Sequence, residues 1–223
     1  MVQAVSGSRV GLSGAPDPCA VAYDERMDLH TDNQRQQIRQ LSRQELRTRQ
    51  LARLNELLGT ILPHNRFYTE KLAAVKLPLE SWDQLSRLPF TFKEELKGSP
   101  SSGVFAANLT WPIDRYVRFH QTSGTHGRPM PVLDTAEDWE WWLATWQYVL
   151  DAAGIRSQDR VMFPFSFGPF IGFWSAFEAC LARGCLVIPS GGMKTLARLE
   201  LLRTSKATVF FCTPSYTLRM AEV

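Results

Sequence analysis

From Trp111 onward, short apolar runs alternate with helical stretches, and this rhythm leaves few folds open. Arg160 to Phe165 reads as a strand, Ile171 to Arg183 as a helix stopped by Gly184, and Cys185 to Pro189 as a short buried strand. Lys194 or Thr195 then opens a helix to about Ser205, Ala207 to Thr213 reads as another buried strand, and Ser215 starts a further helix. Strands separated by helices pair in parallel, and a parallel sheet needs both faces covered. The expected class is therefore α/β: a helical N-terminal segment followed by a largely parallel, helix-covered sheet.

Two more extended runs precede that alternation, Tyr116 to Gln121 and Pro131 to Leu133. Thr135 is placed to cap a helix running to about Ala153, with Trp139, Trp142, Trp146 and Val149 as its apolar stripe and Gly154 as its stop. Between Thr31 and Gly98 the text is helical. Ser42 with Glu45, Ser81 with Gln84, and Thr91 with Glu94 have capping-box spacing, and Leu51, Leu54, Leu58 and Ile61 recur at helical intervals opposite arginines. Residues 1–30, rich in Ser, Gly and Ala near their start, lack a basic head before an apolar block and read as a disordered leader rather than a secretory signal. Residues 31–223 read as one domain that stops soon after a helix opens behind a buried strand, the front part of something longer.

At 44% hydrophobic and 21% charged residues, the chain has the balance of a folded globular protein. A formal charge of +3 falls short of a dedicated nucleic-acid face, and Arg35, Arg39, Arg43, Arg47 and Arg53 among glutamines read as a solvated helix surface. No run approaches the roughly 18 apolar residues of a membrane span. Cys19, Cys180, Cys185 and Cys212 form no Cys-x-x-Cys pair and have no histidine at metal-ligand spacing, so no protein metal site is expected and reduced thiols in the cytoplasm are.

The segment Thr122-Ser123-Gly124-Thr125-His126-Gly127-Arg128-Pro129 lies between two expected strands and suits an anion. Glycines let successive N–H groups converge, hydroxyls add donors, and Arg128 adds a planar cation. It is neither a Walker A loop nor a dinucleotide fingerprint. Phe165, Phe167 and Phe170 follow a strand, where they can fill core or wall an apolar pocket; Ser190, Gly191 and Gly192 read as a strand-to-helix turn that a nucleotide could approach. His120, within a strand, reads as a satisfied structural histidine.

Arg118-Phe119-His120-Gln121-Thr122-Ser123-Gly124-Thr125-His126-Gly127-Arg128-Pro129 resembles the Arg-Ile-His-Ala-Ser-Ser-Gly-Thr-Thr-Gly-Lys-Pro phosphate loop of the phenylacetate–CoA ligase family, within the adenylate-forming superfamily. Phe67-Tyr68, Leu85 to Leu96, Asp138, Ala152 to Arg156, Val187 to Gly192 and Thr213 to Tyr216 continue the resemblance in register over about residues 33–223. Coenzyme F390 synthetase-like proteins share a similar front half. The resemblance implies the first half of the large N-terminal domain, ATP, Mg2+ and coenzyme A as cofactors, and a small carboxylic acid, aromatic in the nearest case, as substrate. It implies ATP-phosphate contacts from Thr122, Ser123, Gly124, Thr125, His126, Gly127 and Arg128, an acid wall from Phe165, Phe167 and Phe170, and catalytic residues beyond Val223. His126 stands where the family has Thr and Arg128 where it has Lys. A noncatalytic nucleotide-binding relic is the alternative, and oligomeric state is left open, a homodimer among the options.

Overall fold

The computed structural model describes residues 31–97, 106–124, 127 and 129–223. The chain divides into two units, Met1–Arg39 and Gln40–Val223. Its first described helix is α1 (Asp32–Gln40), where Asp32 pairs with Arg35 one turn on.

In the second unit Ser42 closes its capping box with Glu45: the serine hydroxyl accepts the Glu45 N–H at 3.3 Å, and the carboxylate accepts the Ser42 N–H at 2.8 Å. Hydrogen bonding from the Ser42 side chain, and then from its N–H, holds the Glu45 carboxyl below its ordinary pKa, and helix α2 (Arg43–Ile61) follows. Leu58 is its one fully buried residue; Leu51, Leu54 and Ile61 are half-buried, and Arg43, Arg49 and Arg53 are exposed. Asn65 caps α3 (Arg66–Lys71) by accepting the Tyr68 N–H, and its amide donates to the Asn108 carbonyl and to Thr110.

The other two expected capping boxes do not form. Ser81 makes no side-chain cap; Gln84 instead accepts the Glu80 N–H, and Trp82–Arg87 winds as a tighter 3-10 turn. Helix α4 (Lys93–Leu96) starts later than Thr91 predicts, because Glu95, paired with Lys71, accepts the Phe92 N–H. A long-range ion pair thereby selects between two adjacent glutamates that local spacing cannot separate.

Strands β1 (Tyr116–Gln121) and β2 (Pro131–Thr135) form an antiparallel hairpin with Gln121 opposite Pro131. Thr135 ends β2 and caps α5 (Ala136–Ala152), its hydroxyl accepting the Asp138 N–H at 3.2 Å while Asp138 accepts the Thr135 N–H at 2.9 Å. Gly154, at φ +70°, terminates that helix. Three parallel strands follow, β3 (Arg160–Phe163), β4 (Leu186–Pro189) and β5 (Val209–Phe210), in spatial order β4-β3-β5. Their crossovers carry α6 (Ile171–Ala182) and α7 (Thr195–Thr204), and α8 (Pro214–Ala221) comes after β5.

The core gathers on the face of β3 that carries Val161 and Phe163, against Leu150 and Ile155 and against Ala176, Ala179 and Cys180 of α6. Phe163 is fully buried and stacks on Phe211 at 5.0 Å, with Phe165 and Phe177 meeting it edge-on. Burying a side chain of this size stabilises by about 1.5–3 kcal/mol. Cys180 and Cys185 are buried free thiols, and burial pushes Cys180 up to about 12, which makes it a core residue rather than a nucleophile.

Three expectations need correction. The α5 stripe holds at Trp139 and Trp146 but not at its end: Val149 is 48% exposed, and Leu143 and Leu150 join Trp146 against the core. Gln147 is also turned inward, where Arg183 bonds its side chain and carbonyl and pairs with Asp151, so a polar residue occupies a place that hydrophobicity alone assigns elsewhere. The runs at Cys185 to Pro189 and Ala207 to Thr213 are not wholly buried. Leu186 is 61% and Phe210 42% exposed, because each strand is an edge and only the middle strand β3 is covered on both sides. Among the described residues no helix is long and apolar enough to cross a membrane.

Candidate functional site

β1 delivers the chain into the glycine-bearing turn, and two hydrogen bonds of Thr122 close that turn. Its N–H donates to the Met130 carbonyl and its hydroxyl accepts the Met130 N–H, both at 3.0 Å. The Thr122 oxygen is therefore partly committed to the loop, leaving its O–H free to donate elsewhere. Inside the closed turn Gly127 donates to the Gly124 carbonyl at 3.0 Å.

Gly124 has φ +69°, and a β-carbon there would lie 2.8 Å from the Gly127 oxygen and 2.9 Å from a Pro129 ring carbon. Both the backbone region and the space exclude a side chain. Gly127, at φ +120°, has open space around it, so its requirement is conformational alone. Ser123 is exposed. Thr125, His126 and Arg128 lie outside the described residues.

The loop is joined to the aromatic segment. The Gln121 N–H donates to the Pro169 carbonyl at 2.8 Å, so the end of β1 abuts the turn between β3 and α6. Phe165 stacks on Phe173 at 4.1 Å, and Phe167 packs against Trp174 at 4.6 Å and Phe177 at 5.1 Å. Phe165 and Phe167 are half-buried against the core, whereas Phe170, 38% exposed, stands at the start of α6. The indole of Trp174 donates to the Gly168 carbonyl, which leaves this surface without an unpaired indole N–H. Phe165 and Phe167 thus pack on the core, and Phe170 is the exposed one of the three.

Ser190 faces inward, 1% exposed, its hydroxyl donating to the Phe163 carbonyl and its own carbonyl accepting from Arg198. Only Gly191 and Gly192 present exposed backbone, and Ser166 holds the Gly192 N–H. Arg198 also donates to the Tyr216 hydroxyl, which bonds Thr195 as well; these contacts, Thr195 foremost, lower the Tyr216 pKa. The Phe165 to Phe170 turn and the Ser190 turn both leave the carboxyl ends of parallel strands, the edge where open α/β sheets take ligands.

Beneath the loop lies a polar cluster that the motif reading did not assemble. His120 is 4% exposed, places Nδ1 3.2 Å from Asp134 and stacks on Trp139 at 5.2 Å. This is the satisfied structural histidine that its strand position predicts. Burial raises the Asp134 pKa, and the His120 contact opposes that rise. Arg118, two residues earlier on the same strand face, reaches Glu178 of α6. The signal was present in sequence: Glu178 is the one charged residue between Ile171 and Ala182, and a carboxylate in so apolar a helix needs a partner.

Comparison with known proteins agrees with this arrangement. No protein-family model matches the chain. Its sequence is 32% identical to phenylacetate–coenzyme A ligase of Pseudomonas putida over 79% of the chain and 40% of the relative. It is 30% identical to the enzyme of the same name from Aromatoleum evansii, over 83% of the chain and 42% of the relative. The solved structure of 2-hydroxyisobutyryl-CoA ligase bound to 2-HIB-AMP and CoA superposes with a TM-score of 0.74 at 26% identity, over 82% of this chain and 40% of that one. An open conformation of the same ligase gives a TM-score of 0.69 at 24% identity, over 77% of this chain and 38% of that one, which supports the fold.

The hairpin with its glycine turn and the parallel sheet beside it give the chain the fold class of the corresponding two-fifths of 2-hydroxyisobutyryl-CoA ligase. Within that class it is a homologue of the phenylacetate–CoA ligases, and it spans about two-fifths of the length of the relatives it matches.

Proposed function

We propose that this chain supplies the ATP-phosphate contacts and the acid wall of an ATP-dependent acid–CoA ligase acting on a small, apolar, aromatic carboxylic acid. One observation carries the reading: the Gln121–Pro169 hydrogen bond ties the glycine turn to the aromatic segment, so a triphosphate on the first lies beside an acid against the second. Adenylation needs that juxtaposition, because the acid carboxylate attacks the α-phosphate while pyrophosphate departs. Coenzyme A then displaces AMP to give the thioester.

In the first step negative charge grows on the leaving pyrophosphate. Donors fixed beforehand by the turn, the backbone N–H groups around Gly124 and Gly127 and the hydroxyls of Thr122, Ser123 and Thr125, stabilise it without reorganising. Arg128 supplies a planar cation to the same phosphates. Phe165, Phe167 and Phe170 hold the apolar body of the acid, and Gly191 and Gly192 offer backbone to the nucleotide side. Among the described residues no group of three or more His, Cys, Asp or Glu side chains is placed to hold a metal. Mg2+ would enter with ATP, and no step is assigned to it.

None of these residues is a candidate for moving a proton or forming a covalent bond to substrate. The stretch alone is expected to bind nucleotide without completing the reaction. Titration of the full chain with ATP tests the reading: saturable binding that protects amides of residues 121–130 is expected, and ATP bound without any protection there overturns it. His126, where the phosphate loop that this segment resembles has Thr, favours a second reading, a nucleotide-binding relic. The relic predicts that a polypeptide extended to the relatives' full length binds ATP yet shows no acid-dependent exchange of pyrophosphate into ATP.

A further inference from the structure

We infer that Glu178 is a positioning residue, latching the strand that feeds the glycine turn onto the helical layer behind it. Its Oε2 accepts two hydrogen bonds, one from the Arg118 guanidinium and one from the Trp139 indole, each 2.7 Å long. The three side chains come from β1, α5 and α6, so a single carboxylate bridges three elements.

The geometry shows why one carboxylate suffices. Arg118 and His120 alternate onto the same face of β1, and both lie on the Trp139 ring, the guanidinium at 5.0 Å and the imidazole stacked at 5.2 Å. Trp139 is 4% exposed, so its ring cannot shift sideways without disturbing the core, and Glu178 fixes its rotation by holding the indole N–H. The same oxygen sets the direction of Arg118. Four residues beyond Arg118 stands Thr122, which closes the turn through Met130.

The opposite face of β1 is largely exposed, Val117 at 59% and Phe119 at 47%. Three attachments thus tie β1 to segments outside the hairpin: the Glu178 latch, the Gln121–Pro169 bond, and the Tyr116 hydroxyl, which accepts the Thr110 and Trp111 N–H groups. Glu178 is the one of these attachments that draws its carboxylate from α6. At 22% and 40% side-chain exposure, the Glu178–Arg118 pair is too solvated to contribute much to global stability, which suits a role in placement.

The purpose of the latch rests on the phosphate-loop reading proposed above, but its existence does not. Hydrogen exchange on the full chain is the direct measurement. Glu178→Ala is expected to speed exchange of the amides in 116–121 by about tenfold, with amides of α5 and the β3 core unchanged. Unchanged exchange in 116–121 of the folded variant overturns the latch. Glu178→Gln, which keeps the volume and can still accept from Trp139, is expected to recover part of the protection, and it gives the same readout should the alanine variant fail to fold. The Trp139 indole N–H resonance provides a signature: it moves upfield in Glu178→Ala and stays near its original position in Glu178→Gln.

ATP affinity separates placement from mere attachment. A loss of about tenfold in Glu178→Ala with an unchanged melting temperature supports the positioning role, whereas faster hairpin exchange with full affinity overturns it. If the unsubstituted chain binds no ATP, the phosphate-loop proposal fails, and the exchange experiment still decides whether Glu178 holds the strand.

Discussion

Gly124 is the residue at which the loop is least negotiable. A valine there faces both a positive φ and atoms under 3 Å away, so the turn must open to admit it. Gly124→Val is expected to weaken ATP binding by about tenfold or more while far-UV circular dichroism stays native, since the loop lies outside the core. Retained affinity in that variant removes the turn from nucleotide binding. Gly127 makes a graded control: its neighbourhood is empty, so Gly127→Asn, which tolerates left-handed backbone, should lose less than Gly124→Val in the same titration.

A second residue-scale expectation concerns acid. Asp159 accepts the Arg156 N–H and the Thr208 hydroxyl, and these bonds, the backbone one first, hold its pKa below the ordinary value. The folded state thus binds fewer protons than the unfolded state. The stabilisation is fully present above about pH 4 and is lost as pH falls through the depressed folded value. Melting temperatures of Asp159→Asn should accordingly depend less on pH below about 4 than those of the parent, and parallel profiles would contradict the assignment.

At the scale of elements, helix starts separate what sequence can say from what it cannot. Ser42 and Thr135 cap as their spacing predicts, because each lies beside its own acidic partner with no rival. Thr135→Ala should destabilise by about 1 kcal/mol, measured by denaturant unfolding, because it leaves an α5 amide uncapped where β2 must turn into the helix. Thr91 fails because Glu95 is recruited by Lys71, a residue far away in sequence. The outward turn of Val149 has a similar origin: Gln147 is drawn inward by Arg183, 36 residues on, at the end of the stripe that Val149 was expected to complete. Periodicity reads single elements well and cannot see the polar bonds between them.

Considered as a whole molecule, the strand and helix order and the parallel sheet were legible, since alternating β and α segments admit few arrangements. The turn between β1 and β2 was legible too, through its glycines. The latch at Glu178 was not, because its three partners lie on three elements whose packing no local pattern specifies. The central strand carries the stability. Phe163→Ala, which empties the middle of the aromatic stack, should cost about 3–5 kcal/mol in a denaturant titration, far more than any loop variant.

The tie from Gln121 to Pro169 is made by main chain on both sides. Evolution can therefore exchange the side chains at either position without severing it, and a survey of tolerated replacements would find both places permissive. Proline at 121 is the exception, since it alone lacks the hydrogen that the bond requires, and its absence from a library of functional variants would expose a contact that side-chain scanning cannot detect.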